Sequence, residues 1–497
     1  MRSEERSPLF APTKLVAWIL CFEALAIGLL RLASDVRFDW FAFFDGGAEL
    51  TVHALIARGL RPTVDFGYIY GLLPLAIGEA WYRVVGLTPG AFAVLSIAGG
   101  VLTAWGIART LAALRVGWVG LIWVMVAMPI GLISAAQPSL THVLEPVFLT
   151  HAIAGLAEGR RSQALALASA CLFVKPSMAY LVVASVLVVM TFRDRPRTWR
   201  SWARLLVPFF LIVSSLGLSL GVFFGPKVLL NTLVPLTGRA VYRANGFGFL
   251  FGSGRAFWLP ERPKVSHYYE TFAGAWLVAA IALTVSAFIP FFRGKRDRSG
   301  TEVILVCAVL HAAFLGLFFG NQWSWVYYFS MLVIGIAATS TRSRAGLRIT
   351  AFLTVLCLPS AGRSLQGPIE AWQGRERSAE TFGLWASPSV RREWLTVLDL
   401  TRGRKTAILA TSDGAATLDS RLMEPVVSFL VRGHFRPQEL AKKLAQIRES
   451  EAVVVANPAP GDPWFDEWPE FAEVLKKKHK LVWSCPRIRV YWREVDL

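Results

Sequence analysis

The chain has 497 residues, of which 54% are hydrophobic and 17% charged, and its mean hydropathy is +0.48. That balance lies far from a soluble globular average and excludes a water-soluble protein. The formal net charge of +18 would suit a nucleic-acid binder, but the Arg and Lys residues fall largely in short loops between apolar stretches. There they report membrane topology, and no nucleic-acid partner is expected.

A span needs about 20 mostly apolar residues. Such stretches begin near Leu15, Gly90, Gly117, Val143, Ala203, Thr271, Val303, Val326 and Leu347. The first follows MRSEERSPLFAPTK and has no small-residue cleavage site before the acidic segment, which predicts a retained signal anchor and a cytoplasmic N-terminus. Glu23 inside it is expected to be protonated, hydrogen-bonded and turned toward the protein interior.

Directly after this anchor comes FFDGGAELTVHALIARGLRPTVDFGYIYG, which with Asp39 gathers Asp45, Glu49 and Asp65 at the lipid–water boundary. Asp45 and Glu49 lie one helical turn apart and face the same way if the segment is a short helix. A partly desolvated carboxylate at a membrane face can have its pKa raised toward the work of a general base. The ordinary alternative is a pair of solvated acids on an interfacial helix. Asp65 reads as a turn anchor, and Glu79 with Arg83 four residues on reads as a local ion pair.

Two stretches, Tyr68 to Leu87 and Ser162 to Met190, allow two threadings, and the positive-inside rule arbitrates between them. In the preferred one, Tyr68 to Leu87 lies along or dips into the outer interface. Ser162 to Met190 is then a hairpin of two short spans broken at Lys175-Pro176, and every basic cluster falls inside. In the other, Ser162 to Met190 is one helix of roughly 43 Å against a hydrocarbon core of about 30 Å, with a lysine near its middle. Arg109, Arg115, Arg160 and Arg161 would then lie outside. Both give about eleven crossings and put the acidic loop 34–67, the loop 225–270 and the C-terminus on the outer face.

After Pro359 no apolar run of spanning length remains, so the chain divides into a membrane domain, 1–361, and an outer α/β domain, 362–497. TAILATS and AVVVA read as short strands, PQELAKKLAQIRES as a helix, and KLVWSC with RIRVYWRE as a terminal strand pair split near Pro486. The TSDG turn after the first strand has the look of a phosphate loop, but no GxGxxG or Walker sequence accompanies it. Four of the five cysteines sit in apolar segments, and no CxxC, HExxH or GxSxG motif is present.

The run from Asp45 through Glu49 to Gly59 and Pro62, then Asp65-Phe66 and a Pro74-containing apolar stretch, resembles the first extracytoplasmic loop of the GT-C superfamily. These are polytopic glycosyltransferases that use polyprenyl-phosphate-linked sugars, among them protein O-mannosyltransferases and lipid A aminoarabinose transferases. The likeness continues through the FVKPSM break, a long outer loop and the C-terminal domain. It implies a plasma-membrane, multi-pass α-helical protein with an interfacial helical segment and a small extracytoplasmic α/β domain. It also implies a polyprenyl-phosphate-linked sugar donor, a lipid, glycan or protein acceptor outside the cytoplasm, and inverting transfer with Asp45 as the base.

In such families the matching acid also holds a divalent cation, Mg or Mn, which Asp45 and Glu49 would share. Lys175 would hold the donor's phosphate and steady the departing polyprenyl phosphate; the plainer reading is a snorkelling lysine. Arg239 and Arg243 in the long loop would serve the same phosphate, or simply face lipid head groups. The second outer loop, SAAQPSLTHVLEP, lacks the Asp that many relatives carry, and His142 and Glu145 are the nearest substitutes. The rival from another class is a transporter or flippase of a lipid-linked or small polar substrate, with the carboxylates as coupling groups. Such a protein would show internal repeats and ionisable groups deep in several spans.

Overall fold

A computed structural model describes residues 13–194, 198–234, 282, 283, 285, 286, 299–317, 329–430, 435–457 and 468–494. The chain opens with α1 (Thr13–Leu30), then turns through three short helices, α2 (Leu32–Asp35), α3 (Phe38–Phe43) and α4 (Asp45–Ala57). These are followed by α5 (Leu72–Val85), α6 (Pro89–Ala113), α7 (Trp118–Ala127, extended by a π turn over Met128–Leu132), α8 (Leu140–Ala157), α9 (Arg161–Ala170) and α10 (Pro176–Asp194). The membrane part is completed by α11 (Trp199–Phe224), α12 (Pro226–Leu233), α13 (Ser299–Leu317), α14 (Phe329–Thr339) and α15 (Arg344–Gly374).

Among the described residues four helical stretches are long and apolar enough to cross a bilayer: Pro89–Ala113, Leu140–Ala157, Leu206–Phe224 and Arg344–Gly374. Shorter apolar helices, including Phe329–Thr339, fill the bundle. The spans expected from Thr271 and much of the loop 225–270 lie outside the described residues. α6 begins cleanly because Thr88 accepts a hydrogen bond from the Ala91 amide and Pro89 takes the first helical position, where its missing N–H costs nothing. The outward side chains of α1 and α11, such as Trp18, Phe22, Leu218 and Val222, are large, apolar and exposed, as a surface solvated by lipid requires.

The basic clusters gather at one end of this bundle. Arg109 holds Glu158 through two hydrogen bonds of 2.9 and 2.8 Å, Arg160 joins the same carboxylate, and Arg161 pairs with Glu302. The acidic segment occupies the other end, where Asp35 ties into Ser134 and Ala135. The segment Ser162 to Met190 is broken as the preferred threading requires. α9 ends in a 3-10 turn over Cys171–Phe173, and α10 restarts at Pro176. α5 has 14 residues, about 21 Å of helix and too short to span. It stays at the acid-bearing end, against α4 and the start of α8.

The last membrane helix does not stop at the expected boundary after residue 361. α15 runs 31 residues to Gly374, straight through Pro359 and Pro368, and carries the chain out of the bundle. Its far end is fixed to the start of the acidic segment by Trp372, whose indole donates to the Leu30 carbonyl at 2.6 Å, and by Arg375, which donates to the Ala33 carbonyl.

Beyond it comes a short antiparallel pair, β1 (Glu376–Arg377) and β2 (Trp385–Ala386), and α16 (Pro388–Leu400). The main sheet contains β3 (Thr406–Leu409), β4 (Ala452–Ala456), β5 (His479–Ser484) and β6 (Ile488–Arg493) in the order β3-β4-β6-β5. β3 and β4 are parallel, and the other pairings are antiparallel. Three helices belong to this domain: α17 (Gly414–Leu418), α18 (Pro437–Glu449) and α19 (Pro469–Lys478).

Both faces of the sheet are buried, which is why β4 reads AVVVA without alternation. Val454 and Ala456 join a core with Trp394 and with Phe38, Phe41 and Phe43 of α3, whereas Val453 and Val455 pack with Ile447 and Phe471. The aromatic run around the acidic segment is therefore the surface on which the C-terminal domain is built.

Candidate active site

Asp45 opens α4. Phe44 before it is extended (φ −134°, ψ −156°) and makes no side-chain cap, and Asp45 stands in the first turn of the helix, the end where a negative charge is favoured. Asp45 is half-buried, and no hydrogen bond or ion pair engages its side chain among the described residues. Burial pushes its pKa up to about 7. A carboxylate short of water and short of partners is poised to accept a proton.

One turn on, Glu49 is buried, and one further turn on stands His53. His53 Nε2 lies 3.3 Å from Glu49 Oε1, and Nδ1 lies 2.7 Å from Glu79 Oε1. Burial alone would lower the His53 pKa, but the hydrogen bonds and charges of the two glutamates outweigh it and raise the value. The expected Glu79–Arg83 pair is present at 3.9 Å with Arg83 mostly exposed, and Glu79 is held more closely by His53. The residues Asp45, Glu49 and His53 share one face of α4 at four-residue spacing, and α5 supplies Glu79 to close the row.

A second group assembles at the α9–α10 break. The Gly71 amide donates to the Val174 carbonyl at 2.9 Å. A Cβ on Gly71 would lie 2.0 Å from the Phe173 carbonyl oxygen, so only glycine allows the turn before α5 to seat on the break. Lys175 is buried there with its ammonium 3.4 Å from Glu145 of α8. Beside them the Tyr70 hydroxyl lies 3.4 Å from His142 Nε2.

Lys175, Glu145 and His142 are therefore brought together, as buried neighbours rather than as residues of an open loop. Asp39 bridges Arg37 and Arg487, and Asp65 anchors its own turn by accepting from the Arg61 amide at 2.8 Å. Arg239 and Arg243 lie outside the described residues.

For a divalent cation, Asp45 and Glu49 offer two carboxylates. No group of three or more His, Cys, Asp or Glu that could hold a metal occurs among the described residues, and the Glu49 oxygen nearest His53 is already engaged. The residues present do not by themselves make a metal site.

The TSDG turn, residues 411–414, packs against the acidic segment. It is a docking element: Ser412 donates from its amide to the Phe43 carbonyl and from Oγ to the Phe44 carbonyl at 2.7 Å.

The described chain is thus a helical bundle with an acid-bearing first loop, a buried lysine at a broken hairpin and an α/β domain seated on that loop. Solved structures share this fold. The chain is similar to the crystal structure of ArnT from Cupriavidus metallidurans bound to undecaprenyl phosphate, with a TM-score of 0.53, 14% identity, and 97% of this chain and 98% of that chain covered. The apo structure of the same ArnT gives a TM-score of 0.49 and 13% identity over 96% of this chain and 98% of that one. Comparison with protein-family models and with curated proteins found no match. At this identity the likeness shows the fold, and it extends through the outer domain as well as the bundle.

Proposed function

We propose that this protein is a membrane glycosyltransferase that takes a sugar from a polyprenyl-phosphate-linked donor and passes it to an acceptor outside the cytoplasm. The observation that carries this reading is Asp45: a desolvated, partnerless carboxyl at the head of α4, in the acid-bearing loop of an ArnT-like fold. Asp45 takes the proton from the acceptor hydroxyl as the oxygen attacks the anomeric carbon. The bond to the phosphate oxygen breaks on the opposite side, which inverts the configuration. The acceptor is a lipid, glycan or protein hydroxyl. The neighbouring ArnT holds undecaprenyl phosphate, and a polyprenyl phosphate is the donor carrier we assign here.

Lys175, with Glu145, His142 and Tyr70 around it, is the group best fitted to the phosphate. An incoming phosphate replaces or bridges the Glu145 contact and keeps the ammonium paired as negative charge builds on the leaving group. Lys175→Gln is expected to raise the donor KM about tenfold or more while the acceptor KM stays unchanged. An unchanged donor KM would remove Lys175 from the phosphate site.

The base also sets a pH profile. With a pKa of about 7, Asp45 is protonated and inactive below that value and ionised above it. Transfer at limiting substrate is expected to rise tenfold per pH unit below 7 and to level off above it. A profile flat from pH 5 to 8 would count against Asp45. Transfer measured with and without EDTA tests whether a divalent cation at Asp45 and Glu49 takes part.

The direct test of the whole reading is sugar release from a radiolabelled polyprenyl-phosphate-sugar pool in membranes containing this protein. Counts are expected to move from the lipid carrier to an acceptor. No movement with any donor of that class would sink the proposal.

A further inference from the structure

The outer domain grips the acidic segment at both ends. At the head of α4, Ser412 donates to two successive carbonyls, Phe43 at 3.3 Å and Phe44 at 2.7 Å, immediately before Asp45. The two backbones are in direct contact: a Cβ on Gly414 would fall 2.6 Å from Gly47 Cα and 2.0 Å from the Phe41 carbonyl oxygen. One on Gly47 would fall 2.7 Å from Ser412 Oγ. A turn below, the Thr51 and Thr417 hydroxyls meet at 3.0 Å.

The gripping turn is itself rigid. The buried Asp413 carboxylate accepts from Lys443 and from the Val426 and Val427 amides at 2.8 and 3.0 Å, which fixes the loop on which Ser412 is mounted. At the far end of the segment, Glu439 accepts from the Gly67 amide at 2.7 Å and Ser428 donates to the Gly67 carbonyl.

Phe44 is the residue that caps α4, and it has no side-chain cap of its own. Its carbonyl accepts the Ser412 hydroxyl at 2.7 Å as well as the first helical hydrogen bond from the Ala48 amide at 3.1 Å, so Ser412 helps fix its orientation, and the Cα of Asp45 follows at fixed covalent distance. A misplacement of about 1 Å in a catalytic group can cost on the order of 100-fold in rate.

Resting on the transferase reading above, we infer that Ser412 and Gly414 of the outer domain are positioning residues for Asp45, so that the soluble domain is a working part of the active site rather than an appended binding module. Ser412 touches no reacting atom in this scheme. It acts by holding the Phe43 and Phe44 carbonyls.

The test uses the full-length protein in membranes, with Ser412→Ala, Ser412→Thr, Asp45→Asn and the Asp45→Asn/Ser412→Ala double variant. Ser412→Ala is expected to lower kcat about 10- to 100-fold with the donor KM unchanged. Ser412→Thr, which keeps the hydroxyl, restores most of it. In the Asp45→Asn background Ser412→Ala should cost nothing further, because a residue that acts only through Asp45 is silent once the carboxylate is gone. An equal loss in both backgrounds, or no loss in the first, overturns the inference.

Amide hydrogen exchange over residues 43–48 gives a second readout that does not depend on activity. Ser412→Ala is expected to speed exchange in that stretch while α6 and α8 remain unchanged. If the wild type transfers no sugar, the transferase reading fails by itself, and unchanged exchange in Ser412→Ala would then refute the anchoring separately.

Discussion

Asp45→Asn is expected to reduce sugar transfer by about 10²- to 10⁴-fold, the range that a positioned general base supplies. The substitution is close to isosteric, and no protein partner of the Asp45 side chain is lost among the described residues. The fold should therefore survive it. Indeed the direction of the stability effect is fixed by the pKa. Burial raises the Asp45 value to about 7, so folding disfavours the ionised form. That cost is absent below the unfolded value near 4, grows between the two, and is complete above 7. Asp45→Asn removes it, and the variant's gain in unfolding temperature over the wild type should be larger at pH 8 than at pH 5. Lost transfer with this stability pattern identifies a base. Lost transfer with a variant less stable at both pH values would instead mean that Asp45 holds the loop together, and full transfer by the variant would remove Asp45 as the base.

Much of this site was legible in the sequence because its chemistry is concentrated in a single loop. The acid-rich run directly after the first apolar span carried the family resemblance, and the fold is similar to that of a solved ArnT. The strands of the outer domain were also readable: KLVWSC and RIRVYWRE form the β5–β6 hairpin, and AVVVA forms β4 at the centre of the sheet. What escaped notice depended on tertiary neighbours. His53 stands among apolar residues in TVHALIA, where a lone histidine looks like helix filler, and Glu79 has an arginine four residues on that accounts for it locally. The available signal was the spacing of Asp45, Glu49 and His53 on one helical face. The role of Ser412 and Gly414 left no such trace, since a small-residue turn after a strand has the same composition whether it cradles a phosphate or another backbone. The domain boundary was set where the last apolar run ends, and it falls inside α15 because that helix continues past Pro359 and Pro368 to Gly374.

The second large effect belongs to His53. It lies between Glu49 and Glu79, whose hydrogen bonds and charges raise its pKa against the opposing effect of burial, all three are buried, and replacing it leaves two carboxyl groups facing each other with nothing bridging them. Breaking a buried charged set by removing one member typically costs about 3–5 kcal/mol, and His53→Ala adds the loss of the ring packed edge-on against Tyr82 at 4.7 Å. His53→Gln is the more informative variant, since its amide keeps hydrogen-bonding capacity toward one glutamate and cannot titrate. The folded pKa of His53 is raised, so its contribution to stability is complete below the unfolded value of about 6.5 and is lost as the pH rises through the higher folded value. The wild type should accordingly lose thermal stability across that alkaline window. His53→Gln should be less stable below it and should lack the decline attributable to this residue. Thermal unfolding in detergent between pH 5 and 9 measures both, with Asp45→Asn as the reference background so that the decline contributed by Asp45, which runs in the same direction, is removed. Identical pH slopes for Asp45→Asn and Asp45→Asn/His53→Gln would mean that His53 is neutral in the folded protein. Glu49 would then carry its charge without help, and the row along α4 would be three independent residues instead of one coupled unit.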